Sequence, residues 1–166
     1  MAVRQILLLG DEALYRVARP VERDELARAR QVVADLQDTL LNFREKYRFG
    51  RAIAAPQINE PLRIIYMNLA GQAFAFLNPC LKFGEEQFEL WDDCMSFPGL
   101  EVRLRRYRQC QLCYKDLDWQ DGCLIMRDDL AELIQHEYDH LDGILSVQKA
   151  IDNKAFRINK DKTACY

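Results

Sequence analysis

The chain has 166 residues, a length that suits one domain with a sizeable buried core. Its formal net charge is −3, so it lacks the broad basic surface that proteins use to bind DNA. The apolar run at residues 6–9 is too short for the core of a signal peptide, and no later run approaches the length of a membrane span. We therefore expect a cytoplasmic protein whose six cysteines stay reduced.

The first part of the chain predicts one short and one long helical segment. Residues 6–9 predict a short buried extended segment, and residues 12–18 predict a helical turn that Pro20 stops. In the long helix that follows, Asp24 is the expected N-cap and Gly50 the expected stop. Apolar residues recur there with alternating three-residue and four-residue spacing at Leu26, Ala29, Val33, Leu36, Leu40, Phe43 and Tyr47. This stripe predicts a core face rather than a cofactor site.

Residues 62–126 predict a mostly antiparallel sheet region, because short β-rich runs alternate there with turn residues. The predicted strands are residues 62–69, 73–77, 81–84, 87–91, 101–106, 109–115 and 123–126. Arg103 and Arg105 alternate with Val102 and Leu104. This alternation favours the solvated face of a strand over a basic binding patch.

The last part of the chain predicts a second helix and a polar tail. Asp128 or Asp129 is expected to cap the helix, which runs to a C-cap at Gly143. Residues 144–147 predict a last short strand, and residues 147–166 a lysine-rich tail that is partly helical or frayed. We find no repeat or dividing linker. The prediction is one α+β domain over residues 1–166, with mostly antiparallel sheets packed around the second helix and a long N-terminal helix.

The second helix carries both histidines of the chain, His136 and His140, with Glu137 after the first. On a helix, residues four apart project from one face at the spacing that two ligands of one metal ion need. Glu137 can then take a proton from a metal-bound water. Chance matches to HExxH occur in proteins that bind no metal. Here an apolar run precedes the motif and every histidine lies inside it, which favours a metal site.

The third ligand is expected upstream of the histidines. No glutamate follows Glu137, and Ser146 stands where the HExxHxxGxxH pattern needs its last histidine. Cys94 is the strongest candidate, because it lies in a break between predicted strands and because zinc and ferrous iron both accept a thiolate.

The other cysteines predict no second metal site. Cys110 and Cys113 form a CxxC, but residues three apart on a strand face opposite sides and no second CxxC completes a zinc ribbon. Cys80, Cys123 and Cys165 are expected to be small apolar fillers or exposed thiols.

The segment Gly-Arg-Ala-Ile-Ala-Ala-Pro-Gln at residues 50–57 joins the long helix to the sheet region. Its small residues let a ligand approach the backbone closely, and Gln57 ends it with an amide donor. The segment alone fits an ordinary connecting loop equally well.

Three segments together resemble the peptide deformylase family, the metal amidases that remove the formyl group from the initiator methionine of new bacterial proteins. They are GRAIAAPQ at residues 50–57, DDCMS at residues 92–96 and QHEYDHLDG at residues 135–143, in the family's order and spacing. The resemblance covers roughly residues 6–147. It implies Cys94, His136 and His140 as ligands of one divalent ion, with a fourth place for water. The ion implied in vivo is Fe²⁺, and Zn²⁺ or Ni²⁺ can occupy the same ligands.

The resemblance also implies roles for the residues around the metal. Glu137 is expected to act as general base and then as general acid. The amide of Gln57 and the backbone N–H of Met95 are expected to donate to the developing oxyanion. The implied substrate is an N-formyl-methionyl peptide or nascent chain, and the ribosome surface is a further implied partner.

The chain departs from the family pattern at several positions. Ala52 replaces a glycine, and Asp92 and Asp93 replace the glutamate and glycine that precede the cysteine. The methyl group of Ala52 is expected to crowd the substrate, and Asp93 places a carboxylate beside the thiolate. Asp92 is expected to pair with an arginine such as Arg106.

Asp129 and Glu132 lie on or near the helix face that in the family lines the methionine pocket with apolar residues. An acidic group there disfavours a thioether substrate unless it turns to solvent or pairs with a base. The expected substrate-binding residues are Gly50, Arg51, Ala52, Asp92, Asp93, Asp129, Glu132 and Leu133. Two alternatives stay open: a deformylase-like hydrolase for another N-formyl or N-acyl substrate, and a non-catalytic metal-binding or ribosome-associated module of the same fold.

Overall fold

Two antiparallel sheets and two α-helices form the structure, a computed structural model that describes residues 2–162. The helices are α1 (Leu26–Tyr47) and α2 (Asp128–Leu141). The strands are β1 (Ala52–Ala54), β2 (Ile64–Leu69), β3 (Gln72–Phe83), β4 (Gln87–Asp93), β5 (Leu100–Tyr107), β6 (Gln109–Lys115), β7 (Asp121–Arg127) and β8 (Phe156–Ile158). One sheet has the order β1-β2-β3-β6-β7 and the other β4-β5-β8, which confirms the predicted α+β single-domain fold.

Helix α1 covers one face of the five-stranded sheet. Its predicted stripe is confirmed as a core face, with Leu36 and Leu40 fully buried against Ile53 and Ile64 of β1 and β2. The N-cap prediction was wrong, because a 3₁₀ turn at Arg23–Glu25 leads into the helix and no side chain caps it. The helix ends where Arg48 adopts a left-handed backbone conformation with φ 65°.

The prediction that residues 6–9 form a buried extended segment was wrong in part: Ile6 and Leu7 are only partly buried, and the chain turns at Leu9. Leu8 and Leu9 are 57% and 41% exposed. The backbone N–H of Leu7 donates to Gln57 O at 2.8 Å, and that of Leu9 donates to Ser96 O at 2.9 Å. The segment therefore ties together the two loops that carry Gln57 and Cys94. The helical turn after it is a 3₁₀ helix at Glu12–Tyr15, shorter than predicted.

The sheet region differs from the prediction in two places. Residues 52–54 form strand β1, which pairs with β2, instead of belonging wholly to a connecting loop. The runs at residues 73–77 and 81–84 belong to one strand, β3, with a register shift between Leu77 and Cys80. The prediction for Arg103 and Arg105 is confirmed, because both are exposed on β5 and ion-pair with Glu89.

The chain after α2 also differs from the prediction. Residues 144–147 form no strand; Ser146–Lys149 is a 3₁₀ helix. The tail contributes strand β8, which pairs with β5, and a 3₁₀ turn at Lys160–Lys162. The remaining tail positions 163–166, including Cys165, lie outside the described residues.

The prediction that all cysteines are thiols was wrong for one pair. Cys113 and Cys123 are directly opposite each other on β6 and β7, with Cα atoms 4.2 Å apart, and form a disulfide. Cys80 is an exposed free thiol, as expected, while Cys94 and Cys110 are free and buried. Cys110 lies inside and Cys113 on the outer side of the sheet, which confirms that the CxxC residues face opposite sides.

Helix α2 lies between the two sheets and packs against β1, β5 and β7. It begins at Asp128, but neither predicted aspartate caps it: Arg127 is the N-cap, and Asp128 Oδ1 instead accepts a hydrogen bond from Arg108 Nη1 at 2.9 Å. Gly143 lies just beyond the C-cap with φ 69°. Ile134 and Leu141 anchor the helix in the core. Among residues 2–162, no helix has the length and apolar character needed to cross a membrane.

Candidate metal centre

One cysteine sulfur and two imidazoles meet at the inner face of α2. The ligand atoms of Cys94, His136 and His140 all lie within 4.8 Å of one another, and all three side chains are buried. Cys94 Sγ is 3.3 Å from His140 Nε2. Ligands that each lie about 2.0–2.3 Å from one ion have separations close to these. The donor set and its spacing therefore fit a single divalent transition-metal ion.

A buried chain of charges orients His136 from behind. Asp92 Oδ1 is 2.7 Å from His136 Nδ1, which leaves Nε2 for the ion. Asp92 Oδ2 accepts from Arg106 Nη2 at 2.7 Å, so the contact anticipated between Asp92 and Arg106 is present. Arg106 also binds Asp139, which pairs in turn with Lys149 Nζ at 2.8 Å. Each charge in this chain has a partner of opposite sign, which offsets the cost of burying it.

The two histidines are electrostatically different. Burial lowers the pKa of His136, but the Asp92 carboxylate and Cys94 thiolate outweigh that effect and raise the pKa well above its usual value. Burial and the neighbouring charge of His136 lower the pKa of His140 well below its usual value. A histidine must be neutral to bind a metal through its free nitrogen, so metal binding at this centre has to displace the proton held by His136.

Glu137 is buried beside the ligands, and its Oε2 has no hydrogen-bond partner within the described residues. Burial, with a contribution from Asp92 and Glu132, raises the pKa of Glu137 to about 7. A carboxyl group with a pKa near neutrality can both accept and release a proton under physiological conditions. Glu137 also lines the cavity described below.

Gln57 presents its amide N–H₂ to the same region. Its Oε1 accepts from the Ala54 N–H at 2.9 Å, which fixes the orientation of the amide group. Its Nε2 lies 3.2 Å from Ser96 Oγ and 3.7 Å from Cys94 Sγ. Met95 follows Cys94 directly, and in residues 2–162 its backbone N–H donates no backbone hydrogen bond.

A cavity of about 640 Å³ opens beside these groups. Its lining includes Gln57, Cys94, Met95, His136 and Glu137, and most of the predicted substrate-binding residues. Those are Gly50, Arg51, Ala52, Asp93, Asp129, Glu132 and Leu133. Asp92 is the exception, because its side chain is fully buried behind His136 and does not reach the cavity. The structure therefore gives Asp92 a contact with a ligand in place of the expected contact with substrate.

Asp129 and Glu132 of α2 are both paired with a base. Arg51 Nη2 lies 3.2 Å from Glu132 Oε2, and Arg51 Nη1 lies 3.2 Å from Asp129 Oδ2. An acidic group at this helix face was expected to turn to solvent or to pair with a base. Arg51, from the segment at residues 50–57, is that base. Asp93 pairs with Lys162 Nζ at 3.1 Å, so its carboxylate is also balanced.

Several residues at the site escaped the sequence analysis. Arg44 lines the cavity and donates to Gly50 O and Asn68 O, both at 2.9 Å. Asp139 and Lys149 extend the charge chain behind the metal ligands. Asp139 lies between the two histidines at a buried position of the helix. A charged residue at such a position could have indicated its role in the sequence.

Comparison with known proteins agrees with the geometry. The model of the family described as polypeptide deformylase matches residues 3–156. A peptide deformylase from Dictyoglomus thermophilum is 32% identical over 152 residues, which cover 90% of this chain and 94% of the relative. One from Acidothermus cellulolyticus is 35% identical over 149 residues, covering 90% of this chain and 79% of the relative.

A solved structure gives the same answer. The Met-Ala-Ser-bound class I type b peptide deformylase from Acinetobacter baumannii superposes with a TM-score of 0.81 at 26% identity, over 89% of this chain and 98% of that one. The family match implies a divalent metal, which agrees with the Cys-His-His site described above. The chain belongs to the peptide deformylase family, metal-dependent hydrolases that remove the N-terminal formyl group from nascent peptides.

Proposed function

We propose that Cys94, His136 and His140 hold the divalent ion and that Glu137 carries the proton transfers of formyl removal. The observation that carries this proposal is the convergence of three ligand atoms within 4.8 Å next to a buried carboxylate with an unpaired oxygen. The donor set accepts ferrous iron and zinc alike. Following the resemblance, we propose Fe²⁺ in the cell, with Zn²⁺ or Ni²⁺ able to take its place.

When bound, a divalent ion supplies a water of lowered pKa and polarises the formyl carbonyl. Glu137 accepts a proton from the attacking water as its oxygen bonds to the formyl carbon. Glu137 then gives that proton to the departing nitrogen as the carbon–nitrogen bond breaks, so the products are formate and a free amino terminus. The pKa of about 7 for Glu137 suits both steps.

Gln57 and Met95 stabilise the negative charge that develops on the formyl oxygen. The Gln57 amide is held by Ala54 so that its N–H₂ faces the centre, and the Met95 N–H donates to no backbone acceptor among residues 2–162. Donors that are already oriented need no rearrangement in the transition state, and removing one such donor typically costs about 3–4 kcal/mol of transition-state stabilisation.

The proposed substrate is an N-formyl-methionyl nascent chain, met in the cytoplasm as it leaves the ribosome. The Acinetobacter baumannii relative binds Met-Ala-Ser, which carries the amino terminus that deformylation produces. In this chain Gly50, Ala52 and Leu133 line the cavity next to His136 and form part of the wall against which the peptide packs. The buried Glu137, whose Oε2 has no partner within the described residues, disfavours the non-catalytic alternative, because such an oxygen is costly to bury unless it has a chemical task.

Cys94→Ala tests the ligand assignment directly. We expect the variant, prepared and loaded with Fe²⁺ under oxygen exclusion, to lose stoichiometric metal and hydrolysis of formyl-Met-Ala-Ser together. Cys110→Ala is the matched control, since Cys110 is also buried and free but belongs to a hydrophobic core cluster instead of the metal site. A Cys94→Ala protein that keeps one ion per chain and full activity would refute the assignment.

A further inference from the structure

Two carboxylates on one wall of the cavity share a single guanidinium. Arg51 contacts Asp129 through Nη1 and Glu132 through Nη2, each at 3.2 Å and each through one carboxylate oxygen. One positive charge therefore serves two negative ones, and this part of the wall keeps an excess negative charge. A further cation placed there would complete the pairing.

Glu132 is the inner carboxylate of the two. Its side chain is 13% exposed, whereas that of Asp129 is 76% exposed and lies at the rim. Burial raises the pKa of Glu132, and the nearby Asp92 carboxylate adds to the effect. A buried carboxylate gains more from a second positive partner than an exposed one does, because water screens it less.

Two other cations of the lining, Arg44 and Lys162, are engaged elsewhere. Arg44 donates to the carbonyl oxygens of Gly50 and Asn68, and Lys162 pairs with Asp93 at 3.1 Å and Glu101 at 3.0 Å. Neither forms an ion pair with Glu132. Arg48, at the C-cap of α1, also lines the cavity.

Glu132 lies one helical turn before the metal ligand His136, a rise of about 5–6 Å along α2. The side chain of the formylated residue branches from the carbon next to the scissile nitrogen. It must therefore enter the cavity within a few ångströms of the metal centre. A lysine or arginine side chain is long enough to reach a carboxylate one turn away.

We infer that this chain also accepts N-formyl peptides whose first residue has a cationic side chain, with Glu132 as the specificity-determining carboxylate. The inference rests on the proposed function, since the formyl group must lie at the metal centre. The substrate's cation takes Glu132 as its partner, while Arg51, whose side chain is 44% exposed, keeps Asp129 at the rim. An acidic side chain would face both carboxylates, and an apolar one would partly dehydrate the existing ion pair.

The test compares three peptides that differ only in the first residue: formyl-Lys-Ala-Ser, formyl-Met-Ala-Ser and formyl-Glu-Ala-Ser. With the Fe²⁺-loaded, oxygen-protected protein, we expect kcat/KM for the lysyl peptide to exceed that for the glutamyl peptide by about tenfold or more. In Glu132→Gln, which keeps the size of the side chain and removes its charge, we expect the lysyl-to-methionyl ratio of kcat/KM to fall by about tenfold or more.

Glu86→Gln is the matched control, because Glu86 is an exposed carboxylate paired with Arg108 Nε at 3.0 Å outside this cavity. It should leave the ratio unchanged. The inference is overturned if the parent hydrolyses the methionyl peptide but not the lysyl one, if it prefers the glutamyl peptide, or if Glu132→Gln with full metal content keeps the parent ratio. A parent protein that hydrolyses none of the three peptides would overturn the proposed function and this inference with it.

Discussion

At the scale of single residues, the orientation of His136 depends on a carboxylate 44 positions away in the sequence. Asp92 holds Nδ1 of the ring with one oxygen and Arg106 with the other. Burial raises the pKa of Asp92, but His136 and Arg106 outweigh it and hold that pKa well below its usual value. Asp92 therefore stays ionised, and a carboxylate behind a ligand histidine fixes its ring and tautomer.

Asp92→Asn keeps the shape of this side chain and removes its charge. We expect metal affinity to fall about 10–100-fold, because the ligand histidine loses its anionic support. A competition titration against a chelator measures the change. Glu89→Gln is the control, since Glu89 lies on the same strand and pairs with exposed arginines. An Asp92→Asn protein with the parent's metal affinity would show that the contact has no part in ligation.

Glu137 also sets the pH dependence of kcat/KM. Its pKa is raised to about 7, and only the ionised form can accept a proton from water. We therefore expect kcat/KM to rise with pH and to level off above the pKa of Glu137. A bound cation beside the carboxyl group can only lower this pKa, so the rise should be half complete at or below about pH 7. A profile measured at constant metal content that falls with pH through this range would rule out Glu137 as the base.

At the scale of elements, helix α2 is followed, just beyond its C-cap, by a glycine that no other residue can replace without strain. Gly143 has φ +69°, and a Cβ built there would lie 2.4 Å from the Tyr15 carbonyl oxygen. The tight contact brings the end of the histidine helix against the N-terminal segment. The sequence predicts this glycine as a helix C-cap but carries no information on the approach of Tyr15.

Gly143→Ala should therefore destabilise the protein by more than the backbone cost alone, which is about 1–2 kcal/mol for a left-handed residue. Gly10→Ala is the matched control, because Gly10 has φ +102° and open space around its Cα. Denaturant unfolding of both variants separates the two contributions. Equal losses of stability would mean that the contact with Tyr15 costs nothing.

The elements that the sequence predicted best are those with a long periodic pattern. The repeat in α1 and the alternation in β5 reflect which side chains face the core, and this can be read from neighbouring residues in the sequence. Strand β1 was missed because a run of three residues has no readable period and exists only through its pairing with β2. Residues 144–147 are apolar enough for a strand, but Ser146–Lys149 is a 3₁₀ helix, and the bridge to β5 forms only after it, between Leu104 and Ala150.

At the scale of the whole molecule, the metal centre joins parts of the fold that are otherwise separate. Cys94 follows β4 of the three-stranded sheet, both histidines come from α2, and Gln57 follows β1 of the five-stranded sheet. The motif residues were recognisable from their types and spacing. The partners of Asp129 and Glu132 were not, because Arg51 is 81 positions away from Glu132 and only the tertiary fold brings them together.

Metal removal should consequently lower the stability of the whole domain. A ligand present at one hundred times its Kd stabilises the folded state by about 2.7 kcal/mol. For a domain of this size that corresponds to a rise in Tm of about 5–11 °C. Thermal unfolding with and without a chelator measures the difference, and Cys94→Ala should lack it. If the chelator-treated protein unfolded at the same Tm as the metal-loaded protein, the idea that the metal centre links the two sheets would be contradicted.

The central claim is that a carboxylate beside a Cys-His-His metal centre carries out formyl hydrolysis. The most direct test is the hydrolysis of formyl-Met-Ala-Ser by Glu137→Gln at a metal content equal to that of the parent. The account predicts that one ion per chain remains, because Glu137 is not a ligand, and that kcat falls by about 10²–10⁴-fold with the loss of the proton-transfer group. A metal-loaded Glu137→Gln protein that hydrolyses the peptide at the parent rate would contradict the account.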